Sequence, residues 1–488
     1  MTLTLITWLC QREAMKKETY QLESATIPVE ANGGFHFIGI GGVGMSGIAQ
    51  VLLRQGYRVT GSDLNSGEVT RHLAAEGATI YQGHTAENLG PDITRVVVSS
   101  AIPLTNPEIV EARRRGLAVV HRSDMLAFLM NPHKGIAVAG AHGKTTTSAM
   151  IALVLERNGL DPTVLVGGHV KELQGNAKLG TSEYLVAEAD ESDGSFLKLI
   201  PYCAVVTNVE NDHLDYYHCL DNIREAFIRF LGQVKPDGFA VVCGEDPFLQ
   251  SAAARNSRRY LTYGLKSGMD YWLSGIDGHG FETWGDVYYR NQRLGRLILN
   301  VPGVHNLMNA LAAIAVAQEL GLSFQPVADS LYDFHGVHRR FEVVGEINGV
   351  LVVDDYAHHP TEIKATLRAA RQMSVQRLVA VFQPHRFTRT HFLREEFGDA
   401  FQEADQVIIN DIYSAGEAPI EGVTARILVE EIKKQGIQPV DYFSTREEIV
   451  DYLVDKVKPG DLVITMGAGH IWTVGRDLVE RLHNSSIP

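Results

Sequence analysis

The stretch Gly135 to Thr147, GIAVAGAHGKTTT, constrains the fold more than any other. Its apolar run, Ile136 to Ala139, reads as one buried strand. The run breaks at Gly140 and Gly143 and resumes from Ser148 to Arg157 as good helix formers, closed by Asn158-Gly159. Strand, glycine turn, Lys-Thr and helix form the order of a phosphate-binding loop. Free backbone N–H groups at the turn and the helix N-terminus face an anion. Lys144 adds a mobile positive charge, and the Thr145 hydroxyl can ligate Mg²⁺. The spacing, Gly140-x-x-Gly143-Lys144-Thr145, is shorter than the usual form of that loop.

A chain of 488 residues is too long for one core, and about three domains are expected. With 44 basic and 58 acidic residues the net charge is −14, which argues against a nucleic-acid partner and leaves room for local phosphate pockets. Cys10, Cys203, Cys219 and Cys243 show no metal-ligand spacing, so neither structural zinc nor a disulfide framework is expected, and a reducing cytoplasm fits. No stretch reaches the length of a membrane helix, so no membrane partner is expected. Met1 to Leu9 is apolar but lacks a basic lead and a cleavage site. Residues 1–31 read as a disordered tail or a start assigned too early, with Met15 as the alternative.

Phe35 to Ile38 is a short strand that runs into Gly39-Ile40-Gly41-Gly42-Val43-Gly44-Met45, with a helix to about Gln55. A second strand, from Tyr57, ends at Gly61-Ser62-Asp63, where an acidic residue would meet a ribose. A dinucleotide, a mononucleotide or tight strand–helix packing would each produce this pattern. Alternating strands and helices follow, through Arg95 to Val98, Ser99-Ser100-Ala101-Ile102 and Ala118 to Val120. They predict a doubly wound domain from about 32 to 130, closed by the breaker cluster Asn131 to Gly135.

After the phosphate loop, the strand Tyr184 to Ala187 delivers Glu188 at its end, which suits an ion beside phosphates. The strand Ala204 to Thr207 leads into Asn208, Asp212 and His213. From about Leu261 to Val301 short alternating strands read as an antiparallel appendage, before an Ala/Leu-rich helix, Leu307 to Leu320. A third α/β unit begins near His338-Arg339-Arg340-Phe341. It carries Asp354-Asp355-Tyr356-Ala357-His358-His359-Pro360 and Gln383-Pro384-His385-Arg386 at strand ends.

Together these segments resemble the Mur ligases, ATP-dependent amide-forming enzymes of peptidoglycan precursor synthesis. The resemblance rests on HFIGIGGVGMSGIA from His36, GAHGKTTT from Gly140, EADESD from Glu188, DDYAHHP from Asp354 and QPHR from Gln383. It runs from about residue 34 to the C-terminus and implies an α/β protein of three domains. These are a Rossmann-like UDP-sugar-binding domain (32–130), a central P-loop ATPase domain with a mainly parallel sheet (131–337), and a Rossmann-like amino-acid-binding domain (338–488). On this reading Gly39, Gly41, Gly42, Gly44 and Met45 hold the UDP diphosphate, and a fold signature misleads about its ligand. Ser62, Asp63, Ser99, Ser100 and Ala101 complete the UDP-sugar site. ATP is implied at Gly140, Ala141, His142, Gly143, Lys144, Thr145 and Thr146, with Asn306 near the adenine, Arg340 near the γ-phosphate and Asp354 near the ribose. Thr145 and Glu188 would hold one Mg²⁺ and His213 a second, with Mn²⁺ as a substitute. Tyr356, His358, His385, Arg386 and Arg389 would line the amino-acid and muramoyl side, with His359 structural. Lys144, His213, Arg340, His358, His385 and Arg386 are the implied catalytic set.

The implied reaction joins L-alanine to the carboxylate of UDP-N-acetylmuramate in the cytoplasm, by a monomer or dimer. Negative charge accumulates as phosphoryl transfer makes an acyl phosphate and an amine displaces phosphate, so positioning and electrostatics should dominate. Sibling ligases use a carbamylated lysine on the helix after the Asp-His motif. Here Asp221 to Phe230 offers Arg224 and Arg229 but no lysine, and no modified lysine is expected. A recycling ligase that attaches a whole peptide is the alternative, against which Val43-Gly44-Met45 favours the alanine branch. A nicotinamide dehydrogenase would leave the Lys144 loop unexplained, and a nucleotide-dependent scaffold would bind ATP without amino-acid-dependent phosphate release.

Overall fold

The structure is a computed structural model that describes residues 33–256, 259–437 and 439–485. The tail expected over 1–31 lies outside the described residues. Three sheets follow one another along the chain. The first has five parallel strands in the order Thr79–Gln82, Val59–Asp63, Gly34–Ile38, Ile93–Val98 and Ala118–His121. Its central strand, Gly34–Ile38, is buried along its whole length, which explains why it reads as an unbroken apolar run rather than an alternation. The helix Arg122–Met130, which the sequence reading missed, connects this sheet to the next. The strand Lys134–Ala139 then starts inside the breaker cluster read as a linker.

The second sheet has ten strands. Lys134–Ala139 lies between Cys203–Val206 and Tyr184–Glu188, parallel to each. Parallel neighbours end on the same edge. The phosphate loop, the run after Glu188 and the run after Val206 therefore emerge side by side. The expected appendage is no separate unit. Tyr271–His279 pairs in parallel with Arg259–Gly264, and Glu282–Tyr289 and Gln292–Leu299 continue the same sheet as antiparallel strands. Alternation marks a sheet with one wet face, and here it marks the exposed wing of a long sheet. The helix Lys144–Arg157 is apolar nearly all round, with Ala149 to Leu155 at most 1% exposed. It lies against the sheet and against the helix Val304–Glu319.

The third sheet has six strands in the order Glu342–Ile347, Val350–Asp355, Asp461–Met466, Arg377–Phe382, Gln406–Asn410 and Val440–Phe443, with the first pair antiparallel. Asp354 and Asp355 close their strand rather than following it. The helix Pro360–Arg371 is capped by His359, which accepts from the Thr361 N–H, while Glu362 accepts from the His359 N–H. No helix among the described residues is long and apolar enough to cross a membrane.

Candidate active site

Glycine is required twice in the phosphate loop. Gly140 has φ +133°, and a Cβ there would sit 2.1 Å from Thr207 Oγ1. Gly143 has φ +81°, with Asn309 Oδ1 2.7 Å from a Cβ. The loop is held from the next strand: Asn208 accepts from the His142 N–H and donates to the His142 carbonyl. Lys144 Nζ donates to the carbonyls of Gly140 and Ala141 and to Glu191, 2.8 Å away and 3% exposed. Burial works against its charge, but Glu191 and Asp190 outweigh that and raise its pKa.

Thr145 is the second residue of the helix Lys144–Arg157 and is 8% exposed. Glu188 accepts from the Gly167 N–H, and His213 Nε2 lies 3.6 Å from Glu191. Burial opposes protonation of His213, yet Glu191 and Asp212 raise its pKa. A hydroxyl, carboxylates and one imidazole around a lysine are a donor set that fits Mg²⁺ on a polyphosphate. Asn306 donates to the Pro302 carbonyl and accepts from Asn309, which in turn accepts from Thr147. Asn309 is a site residue the sequence reading missed. Its place one helical turn after Asn306, on the same face, was a usable signal.

The third domain closes over this edge. Arg389 holds Asp212, beside His213, in a buried pair with contacts of 2.9 and 3.1 Å. It also donates to His385 Nδ1. His385 stacks on Tyr413 at 5.7 Å and meets His358 edge-on at 5.6 Å. Burial, then neighbouring positive charge, pushes His385 down to about 3; burial holds His358 at about 4. Each is therefore neutral near pH 7: His358 Nδ1–H donates to the Tyr356 carbonyl, and His385, accepting from Arg389 at Nδ1, carries its proton on Nε2. Arg386 faces Glu417 at 3.6 Å. Tyr356 receives Arg339 and Arg340 over its ring at 5.0 and 5.1 Å. Arg340 lies 3.7 Å from Glu362, a partner that no local pattern could reveal. Asp354 is 3% exposed, and its oxygens are taken by Arg339 and Thr465.

In the first domain, Asp63 accepts from the Gly41 N–H at 2.9 Å and so holds the glycine turn itself. Ser62 is fully buried and donates to Glu108. Glu108, also fully buried, meets His36, His84 and Asn88 as well, and its pKa is lowered because these contacts outweigh burial. Ser62 therefore braces the domain interior rather than facing a ligand. Gly39, Gly41 and Gly42 lie on the turn, and Gly44 and the buried Met45 lie in the first turn of the helix Val43–Arg54 that follows. Ser100 reaches across to Asp193 at 2.8 Å, and Ser99 and Ala101 flank it. A cavity of about 940 Å³ opens where the three domains meet, lined among others by Gln50, His169, Pro302, Arg340 and Phe341. That volume suits a nucleotide-sized ligand.

Three family models match in series: "Mur ligase family, catalytic domain" over residues 34–134, "Mur ligase middle domain" over 138–317, and "Mur ligase, glutamate ligase domain" over 339–469. The chain belongs to the Mur ligase family. A Mur ligase relative from Pelotomaculum thermopropionicum, named UDP-N-acetylmuramate–L-alanine ligase, is 59% identical over 92% of this chain and 97% of its own. One of the same name from Desulforamulus reducens is 51% identical over the same shares. Among solved structures, the UDP-N-acetylmuramate–alanine ligase of Thermotoga maritima superposes with a TM-score of 0.79 at 32% identity, covering 93% of this chain and 100% of its own. A murein peptide ligase from Psychrobacter arcticus gives 0.70 at 26% identity, covering 93% and 99%.

Proposed function

We propose that this Mur ligase joins L-alanine to the carboxylate of UDP-N-acetylmuramate with cleavage of ATP to ADP and phosphate, in the cytoplasm. The observation that carries the reading is the docking of Arg389 on Asp212. It brings His358 and His385 of the third domain to the edge where Lys144 and His213 emerge. The names of the relatives at 59% and 51% identity support the choice of amine and sugar.

The carboxylate of the sugar is a poor electrophile until an oxygen takes the γ-phosphoryl group. Attack on phosphorus releases ADP and forms an acyl phosphate. The amine of L-alanine then adds to the carbonyl carbon, loses its proton, and the tetrahedral adduct expels phosphate as the amide forms. Lys144 offsets charge on the β- and γ-phosphates, and the loop N–H groups cradle them. Arg340 serves the transferring group. Thr145 and Glu188 would hold one Mg²⁺ and His213 a second, with Mn²⁺ as a replacement; the ions would supply charge neutralisation at the phosphates. Asn306 borders the adenine. Neutral His358 and His385, with Tyr356, Arg386 and Arg389, receive the amino acid and the muramoyl group. The glycine turn from Gly39 to Gly44, with Ser100 at its rim, receives the UDP.

The test is phosphate release from ATP with UDP-N-acetylmuramate, with and without L-alanine. Release that depends on L-alanine is expected. No nucleotide consumption, or consumption with a whole peptide and not with L-alanine, would overturn the proposal.

A further inference from the structure

One side chain of the phosphate loop has no part in the reaction above. His142 turns toward the third domain, its ring 4.6 Å from that of His359. Neither of its ring nitrogens has a hydrogen bond of acceptable geometry, and neither does His359 Nε2. His359 is 5% exposed. The two His142 nitrogens face only carboxylates, at ion-pair distance, and His359 Nε2 faces no polar partner, a donor set that an ion would satisfy.

Glu210 supplies the third corner. Its Oε2 lies 3.4 Å from His142 Nε2 and 3.7 Å from His359 Nδ1, and one donor atom from each residue falls within 4.8 Å of the others. Around an ion with bonds of about 2.0–2.2 Å, tetrahedral ligand atoms stand roughly 3.3–3.6 Å apart. The edge from His142 to Glu210 is therefore near its final length, and the edge from Glu210 to His359 Nδ1 closes when that nitrogen gives up the Thr361 N–H it accepts. The surroundings also suit an ion. Glu362 Oε1 lies 3.2 Å from His142 Nδ1, the place of a carboxylate that orients a metal-bound histidine. Thr361 donates to Glu210 at 2.6 Å and fixes that carboxylate. Arg340 shares that Glu362 oxygen, 3.7 Å away.

We propose that His142, Glu210 and His359 form a site for one divalent transition-metal ion of the zinc class, separate from the Mg²⁺ ligands and independent of the ligase reading. Two imidazoles and one carboxylate favour such an ion over Mg²⁺, which prefers oxygen donors. His142 and Glu210 belong to the central domain and His359 to the third, so the ion ties the two together beside the phosphate loop.

The experiment is a Co²⁺ titration of the full chain in excess Mg²⁺, followed by visible absorption, with Zn²⁺ as competitor. The variants are His359→Asn, which keeps a helix cap, and Glu210→Gln, which keeps an acceptor for Thr361. One Co²⁺ per chain is expected, with the intense bands of a four-coordinate ion and displacement by Zn²⁺. Each substitution should weaken binding at least tenfold, and His213→Ala should leave it unchanged. Two variants at different places keep the test readable if one fails to fold. No stoichiometric binding would overturn the proposal and leave a protonated His142 bridging Glu210 and Glu362. Binding that survives the two substitutions, or that is lost in His213→Ala, would overturn it too.

Discussion

Lys144 keeps its charge inside the protein because two carbonyls and Glu191 surround it. Replacing it with alanine removes the mobile cation while His213 stays beside Glu191. Lys144→Ala should lower L-alanine-dependent phosphate release by about 10²–10³-fold, with the circular dichroism spectrum unchanged; activity within tenfold of the parent would refute the role. The depressed histidines give a pH dependence. Burial, then Arg340, holds His305 at about 4, and burial, then His358 and Arg389, holds His385 at about 3. These folded values lie below the unfolded value, so the unfolded chain takes up protons that the folded chain refuses. The stability these two histidines contribute is present above about pH 6.5 and is lost as the pH drops toward 4. A thermal midpoint that declines across that window, less steeply in His385→Gln, is the expected record. Lys144, Thr145, Glu188 and His213 were legible in the sequence because each follows an apolar strand. Glu362 and Glu210 were not, because their contacts to His142 join segments far apart in the sequence and are set only by the tertiary fold.

The site exists because three neighbouring parallel strands end together, and its precision comes from short elements at those ends. The helix Phe387–Phe392 is too short to be stable alone and is anchored by Arg389 on Asp212. Arg389→Met leaves a buried carboxylate without its cation, a loss of about 3–5 kcal/mol by analogy with other buried pairs. It should loosen the third domain, raise KM for L-alanine and enlarge the radius of gyration in solution scattering; an unchanged scattering curve would count against the anchor. Gly143→Ala meets a left-handed backbone and the Asn309 side chain at once, and should weaken ATP binding by tenfold or more in a calorimetric titration. Strand and helix periods were readable along the chain, but pairing was not. The wing from Tyr271 to Leu299 alternates like an independent hairpin, and nothing local reveals that Tyr271 pairs with Tyr263.

Across the whole molecule, the central and third domains are joined by an unusual stretch of backbone. Gly336, Arg339 and Phe341 all have positive φ, at +97°, +60° and +48°, within six residues. The stretch is fastened by the His338 N–H on the His169 carbonyl and by Arg339 on Asp354. Strain held between two rigid bodies is how a hinge is built. At Gly336 a Cβ would meet nothing closer than 3.6 Å, so Gly336→Ala isolates the backbone term. A cost of about 1–2 kcal/mol should shift the docking equilibrium roughly 5–30-fold toward the open form, visible as a larger radius of gyration and a lower turnover. Equal scattering curves would dismiss the hinge. The first domain obeys a different logic. Its glycine turn rests on Asp63 and on the Ser62 carbonyl, and the Ser62 hydroxyl donates to Glu108, which gathers contacts from four side chains. Losing any one of them leaves a buried charge less well held, so a change at this knot costs more than one at the surface. A descendant acquiring a new sugar would have to remodel the rim of that turn and leave the knot beneath it untouched.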